Sequence, residues 1–200
     1  MRKKKNRYHH GNLAESLLDA VDEIATQFGL EAVTLRACAK LVGVSPSSAF
    51  RHYADKRALF TAFATRALSQ LTNAMSQAKA DADSDDAFQA VGLAYVEFAI
   101  DKPAFFRAMW REEAIYSNDE NYKAAATKLS SYLTGGFADT LVDADPENFS
   151  PQELLAWSSV HGLANLLIDG PVGNDDTKAE KLENARLMIK SLVPALQEGK

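Results

Sequence analysis

Between Thr34 and Phe60 the chain reads TLRACAKLVGVSPSSAFRHYADKRALF, and this stretch narrows the possible folds more than any other. Thr34, Ser45 and Asp55 each carry a side-chain oxygen suited to accept from the unpaired N–H groups of a first helical turn. Pro46 follows Ser45 directly, at the helical position where a missing N–H does no harm. Gly43 tolerates the positive φ with which a helix commonly ends. The implied structure is two short helices joined by a tight turn, the second about two turns long, with a third helix behind them. That is the anatomy of a helix-turn-helix DNA reader, here spanning about residues 33–52.

Within this frame, Leu35, Cys38, Ala39 and Val42 recur at helical spacing and are expected to face a small core. Arg36 and Lys40 fall off that face, toward solvent or phosphate. The helix beginning at Pro46 presents Ser47, Ser48 and Arg51. Of these, only Arg51 is able to grip a guanine edge with two hydrogen bonds, while the serines discriminate less sharply. Asp55 caps the next helix and places Lys56 with a set of backbone N–H groups at a terminus that attracts anions, here a DNA phosphate. Cys38 fills a position where an aliphatic residue belongs and reads as core rather than redox sensor.

A net charge of −5 argues against a nucleic-acid binder only if it is spread evenly. It is not: residues 1–66 hold 11 of the 22 Lys and Arg but only 6 of the 27 Asp and Glu, so a head of +5 sits on a body of −10. The head meets the electrostatic requirement of phosphate binding, and the acidic body disfavours any other docking face. The basic start MRKKKNRYHHGNL lacks the apolar stretch of a secretory signal, a single cysteine rules out an intramolecular disulfide, and no apolar run approaches bilayer length. Cytoplasmic residence without membrane contact is the expectation.

The rest reads as helix throughout, with no strand-period run. Leu13, Leu17, Val21, Ile24 and Phe28 form the apolar face of a first helix before Gly29, and Leu59, Phe63, Leu71 and Met75 extend a long fourth helix that ties head to body. Past the Asp-rich break at residues 81–86, Phe88, Val91, Tyr95 and Phe98 mark a fifth helix, and Pro103 opens a short sixth holding Phe105, Phe106, Met109 and Trp110. Tyr122, Ala126, Leu129, Leu133, Phe137 and Leu141 repeat through a seventh. Ser150 and Glu153 form a capping box for an eighth that ends near Gly170-Pro171, and Leu182, Ile189, Val193 and Leu196 mark a ninth. The eighth is apolar around much of its circumference, and Ser158, Ser159, Gly162 and Ala164 allow close approach of another backbone. Helices eight and nine are therefore expected to pair with their two-fold copies in a homodimer, setting two recognition helices about 34 Å apart on a palindromic operator.

These residues resemble the TetR family of bacterial transcriptional regulators. That family's pattern of an Ile-Ala pair, Gly-Val-Ser, an aromatic, any residue, His, an aromatic and then Lys becomes Cys38-Ala39, Gly43-Val44-Ser45, Phe50-Arg51-His52-Tyr53 and Lys56. The opening Tyr8-His9-His10-Gly11-Asn12-Leu13, with Trp157, His161 and Gly162, is similar to a branch carrying a Trp-His-Gly motif in its regulatory domain. The resemblance implies an all-α, nine-helix architecture, with a three-helix DNA-binding domain over residues 1–55 and a regulatory and dimerisation domain over 56–200. It also implies that Thr34, His52, Lys56 and the position of Phe50 contact the DNA backbone. Phe50 departs from the usual Tyr and lacks the hydroxyl that reaches a phosphate. With Arg36, Ser45, Pro46, Ser47, Ser48, Arg51 and Tyr53, these make up the expected DNA-contacting set.

Regulation requires a second site, and the resemblance implies a small-molecule effector in the body that alters the spacing of two heads. Tyr95, Phe98, Phe106, Trp110, Tyr122, Phe137, Trp157, His161 and Asn165 are the candidate lining. Arg107, Arg111, Glu112 and Glu113 leave the effector's charge open. No cofactor and no metal are expected: His9 and His10 have no Cys or carboxylate partner, and Asp81, Asp83 and Asp85 imitate a calcium loop that has Asp86 where Gly belongs and Gly92 where Glu belongs. No Ser-His-Asp or Cys-His arrangement and no phosphate loop suggests an enzyme. An all-α small-molecule-binding protein or enzyme whose helix-turn-helix no longer reads DNA remains the alternative.

Overall fold

The computed structural model describes residues 12–83, 86–135 and 149–197. The amino-terminal arm with Tyr8 to Gly11, Asp85, and the expected helix positions Phe137 and Leu141 lie outside the described residues.

Nine α-helices and no strand are present among the described residues: α1 (Leu13–Phe28), α2 (Leu35–Val42), α3 (Pro46–His52), α4 (Lys56–Asp81), α5 (Ala87–Asp101), α6 (Pro103–Met109), α7 (Glu120–Gly135), α8 (Pro151–Ile168) and α9 (Lys178–Gln197). Two 3-10 turns, Leu30–Ala32 and Glu112–Ala114, were not foreseen from the sequence. The caps were. Thr34 Oγ1 accepts from the Ala37 N–H at 3.0 Å, Ser45 Oγ from Ser48 at 3.2 Å and Asp55 Oδ1 from Ala58 at 2.7 Å. Ser150 and Glu153 exchange both bonds of the capping box. Gly43 stands at φ 82°, in the left-handed region that ends α2.

The head is a small apolar cluster in which Leu17, Val21, Val33, Leu35, Cys38, Ala39 and Ala49 are all buried. Phe28 departs from the expected face of α1: it is 71% exposed. The helical repeat does continue to Phe28, but the chain turns back at Gly29, and Leu30 of the 3-10 turn fills the core instead. Arg66 of α4 pairs with Asp19 of α1 at 2.7 Å, holding the head against the linking helix.

The 26-residue α4 is the axis of the molecule, packing on α1 near its start and on α5, α6 and α7 along its length. Its buried apolar residues, Leu59, Phe60, Phe63, Ala64, Ala67, Leu68, Leu71 and Met75, therefore cover more than one stripe. Phe63 stacks on Phe105 of α6 with ring centroids 4.3 Å apart. Behind α4, α5 contacts α8 and α9. A Cβ at Gly92 of α5 would sit 3.2 Å from Ile189 Cδ1 of α9, so the missing side chain sets how closely those helices approach. Among the described residues no helix is long and apolar enough to cross a membrane.

Phe63 is fully buried, so Phe63→Ala removes both its transfer energy and the α4–α6 stack. The expected loss is about 3–5 kcal/mol in urea unfolding followed by far-ultraviolet circular dichroism. A loss below about 1 kcal/mol would show that this contact does not hold α6 to the axis.

Candidate nucleic-acid interface and regulatory cavity

The recognition helix α3 is anchored inward by Ala49, which is fully buried, while Pro46, Ser47, Phe50, Arg51 and His52 are exposed. Ser45 Oγ lies 2.9 Å from both Ser47 Oγ and Ser48 Oγ, and Arg51 Nη2 donates to Ser48 Oγ at 3.1 Å. The serine hydroxyls thus form one small network that props the guanidinium in the free protein. Arg51 keeps most of its donors free, so exchanging one such bond for a guanine edge loses little.

Around this helix stand the groups expected on the backbone of DNA. Thr34, Arg36 and His52 are exposed. Lys56 is exposed too, its Nζ 3.5 Å from the Glu31 carbonyl and 5.2 Å from the Phe60 ring centroid. Tyr53 differs from its neighbours: it is half-buried, and its hydroxyl donates to the Ala14 carbonyl at 3.4 Å, closing α3 onto α1. Burial pushes its phenol up to about 12. Ser45 likewise commits its oxygen to capping, so Ser45 and Tyr53 hold the reading helix in place. Cys38 is fully buried and its thiol is pushed up to about 11, which suits a core residue and opposes a redox role.

A clasp absent from the sequence reading joins head and body. The Tyr116 hydroxyl donates to Asp55 Oδ2 at 2.6 Å, the Tyr116 N–H donates to Thr61 Oγ1 at 2.8 Å, and Arg57 Nε donates to the Ile115 carbonyl at 2.6 Å. The Arg57 guanidinium also lies 4.7 Å from the Tyr116 ring centroid. One turn further in, Arg111 bridges Glu31 of the head at 2.6 Å and Glu113 at 2.9 Å. The Tyr116 hydrogen bond, and then the Ala58 N–H, hold the Asp55 carboxyl below its usual range, and the Arg111 hydrogen bond does the same for Glu31. Tyr116 and Asp55 are 61 residues apart, a separation at which no periodicity carries a signal.

In the body, the aromatic candidates converge on His161. Tyr95 OH is 2.8 Å from His161 Nδ1, and the rings of Trp110, Phe106 and Trp157 lie 5.0, 5.4 and 6.1 Å from the imidazole. Two spaces flank this cluster. A cleft of about 430 Å³ lies between head and body, lined by Gly29, Leu30 and Glu31 on one side and Arg107, Trp110, Arg111, His161 and Asn165 on the other. A cavity of about 240 Å³ within the body is lined by Leu68, Met109, Trp110, Glu112, Tyr122, Phe149 and Trp157 among others. Trp110 borders both, and its indole Nε1 is buried without a hydrogen-bond partner among the described residues.

Not every expected lining residue reaches these spaces. Phe98 is 7% exposed and packs in the core, and Tyr95 stands behind His161 as its hydrogen-bond partner. Asn165 lines the cleft, but its amide already donates to the His161 carbonyl at 2.9 Å. Phe137 lies outside the described residues. Among the described residues no three His, Cys, Asp or Glu side chains gather as a metal ion requires.

An all-α body joined through one long helix to a basic helix-turn-helix head defines a DNA-reading regulator built in a single chain. Residues 17–63 match the family described as bacterial regulatory proteins, tetR family, and residues 88–192 match the tetracyclin repressor-like C-terminal domain. The chain belongs to the TetR family of bacterial transcriptional regulators. It is 33% identical over 98 residues to YobS of Bacillus subtilis strain 168, an uncharacterized HTH-type transcriptional regulator, a match covering 49% of this chain and 51% of that protein. The chain thus spans about half the length of this relative. A solved Rhodococcus sp. RHA1 protein of unknown function shares the fold with a TM-score of 0.75 at 22% identity, covering 98% of both chains. The TetR family regulator PfmR of Thermus thermophilus does so with a TM-score of 0.65 at 17% identity, covering 89% of this chain and 97% of that one.

Burial lowers the His161 pKa, so the fold favours the neutral ring. The unfolded chain therefore takes up its proton first, and this contribution to stability is complete above the ordinary imidazole value of 6.5 and declines as pH falls through it. Between about pH 7.5 and about pH 5, the urea midpoint of the wild type should fall further than that of His161→Gln, since the carboxylates are common to both. Equal declines would place the histidine in water.

Proposed function

We propose that this chain represses transcription by binding a two-fold operator as a homodimer, and that a small molecule entering the body releases it. The observation that carries the reading is α3 itself: one buried alanine anchors it, its remaining exposed surface faces outward, and the capped start of α4 stands beside it with Lys56. Arg51 reads a guanine, with Ser47 and Ser48 beside it, while Thr34, Arg36, His52 and Lys56 hold phosphates. The concentration of positive charge in residues 1–66 supports docking through the amino-terminal part of the chain, and Arg36, Arg51 and Lys56 are exposed around α3.

Leu154, Leu155 and Leu166 on α8 and Leu187 on α9 are 52%, 43%, 45% and 55% exposed, an apolar surface that a single copy leaves in water. This supports pairing of α8 and α9 with their two-fold copies. Leu155→Glu should convert a dimer to a monomer in sedimentation at micromolar concentration and abolish cooperative operator binding. A monomeric wild type, or an unaffected dimer, contradicts the assignment.

An effector shifts an equilibrium only by binding the released form better than the bound form. A cleft with one wall on the head and one on the body gives a ligand a place from which to tell the two forms apart, because its shape changes whenever the head moves. Entry there sets a ligand against the Arg111–Glu31 ion pair and against Trp110, at the start of the segment that grips Asp55.

The decisive experiment is binding of the full chain to its own upstream DNA against random duplex at matched salt. Specific binding should weaken and lose sequence choice in Arg51→Ala, whereas Lys56→Ala should weaken all duplexes alike and lower the salt slope by about one. No preference for the upstream duplex at any salt concentration would sink the reading.

A further inference from the structure

The exposed surface of α3 is divided lengthwise. One edge is polar, with Ser48 and Arg51 hydrogen-bonded to each other at a spacing of three residues. The other edge is apolar: Pro46 and Phe50 stand four residues apart on the same side, and both are exposed. The Phe50 ring is 43% exposed and makes no ring contact among the described residues. An exposed phenylalanine elsewhere on a protein calls for no explanation. This one occupies the middle of the helix that faces the groove, in a head carrying +5, and it has no hydroxyl with which to hold a phosphate.

We propose that the Pro46–Phe50 edge reads thymine, by packing against its C5-methyl group beside the guanine taken by Arg51. This deepens the proposed function and rests on it. On the base edges of the major groove the thymine methyl is the apolar group, and every other feature there is a hydrogen-bond donor or acceptor. A side chain that neither donates nor accepts gains from the groove only by covering that methyl and excluding water from it. The neighbouring polar edge does not substitute, since Ser47, Ser48 and Arg51 present hydrogen-bonding groups there instead of apolar surface. Consecutive residues are about 3.8 Å apart and base pairs about 3.4 Å, so the thymine lies within about two base pairs of the Arg51 guanine. Phe50 is then a specificity-determining residue, in place of the backbone contact its position suggests.

The test uses duplexes selected from a random-sequence pool by the full-length protein. Each thymine of the enriched half-site is replaced in turn by deoxyuridine, which removes only the methyl group, and affinity is read by fluorescence anisotropy at fixed salt. The wild type should lose about fourfold at one or two thymines within two base pairs of the guanine that Arg51→Ala ceases to distinguish. Phe50→Ala should bind thymine and uracil duplexes equally, Phe50→Tyr should keep the discrimination, and both should retain wild-type helical content by circular dichroism. The inference fails if no thymine is sensed, or if the uracil penalty survives in Phe50→Ala. Should Phe50→Ala lose its helix, Phe50→Gln decides: it keeps a long side chain of good helix propensity but puts a polar amide where the ring was, so the uracil penalty must disappear, and its survival overturns the inference. Enrichment of no sequence at all overturns the operator-binding reading and this inference with it, a result distinct from enrichment without methyl sensing.

Discussion

Asp55 serves two structures with its two oxygens. Oδ1 accepts the Ala58 N–H and so begins α4, while Oδ2 accepts the Tyr116 hydroxyl and so holds the segment after α6. Both bonds favour the carboxylate, and the helix terminus adds its own partial positive charge. The orientation of the reading head relative to the body is therefore fixed within the first two turns of α4, where Arg57 and Thr61 bind the same segment through Ile115 and Tyr116. Lys56, which is exposed, is the immediate neighbour of both Asp55 and Arg57. Any displacement of residues 111–116 has to carry the start of α4 with it or break these bonds.

That arrangement gives the aromatic cluster a mechanical outlet. Trp110 closes α6, borders both spaces in the body and directly precedes Arg111, whose guanidinium reaches Glu31 in the head. Packed interiors pass small shifts on because side chains have discrete arrangements and few voids to absorb them. Two chains of contact lead from Trp110 toward the head, one through Arg111 to the 3-10 turn after α1 and one through Tyr116 to α4. The exposed ion pair contributes little stability of its own. It does join the 3-10 turn after α1 to the segment after α6.

Local signals were legible in the sequence and distant ones were not. Thr34, Gly43, Ser45, Pro46, Asp55 and the Ser150–Glu153 box each announce a helix end through chemistry confined to four residues, and the structure has those ends. The family resemblance was readable from the same short stretch. Phe28 was misread because periodicity knows nothing of where the partner helix stops. The destination of the Tyr53 hydroxyl, the Ala14 carbonyl, is not legible locally because it depends on how α3 folds back on α1. The Tyr116–Asp55 clasp and the convergence of Tyr95, Trp110 and Trp157 on His161 join elements far apart in the chain, and only the packing of α4, α5, α6 and α8 brings them together.

A seven-residue helix has no independent stability in water, so α3 exists because its ends and one inward residue are held. Ser45 caps it, Pro46 preorganises its first turn, Ala49 is buried in the core of the head, and Tyr53 ties its end to α1. None of those tasks falls to Ser47, Phe50 or Arg51. The groups that hold the helix and the groups it exposes at its centre are therefore largely different residues. Such a division lets the reading surface take almost any chemistry without weakening the head. Phe50, exposed on that surface, contributes nothing visible to the fold.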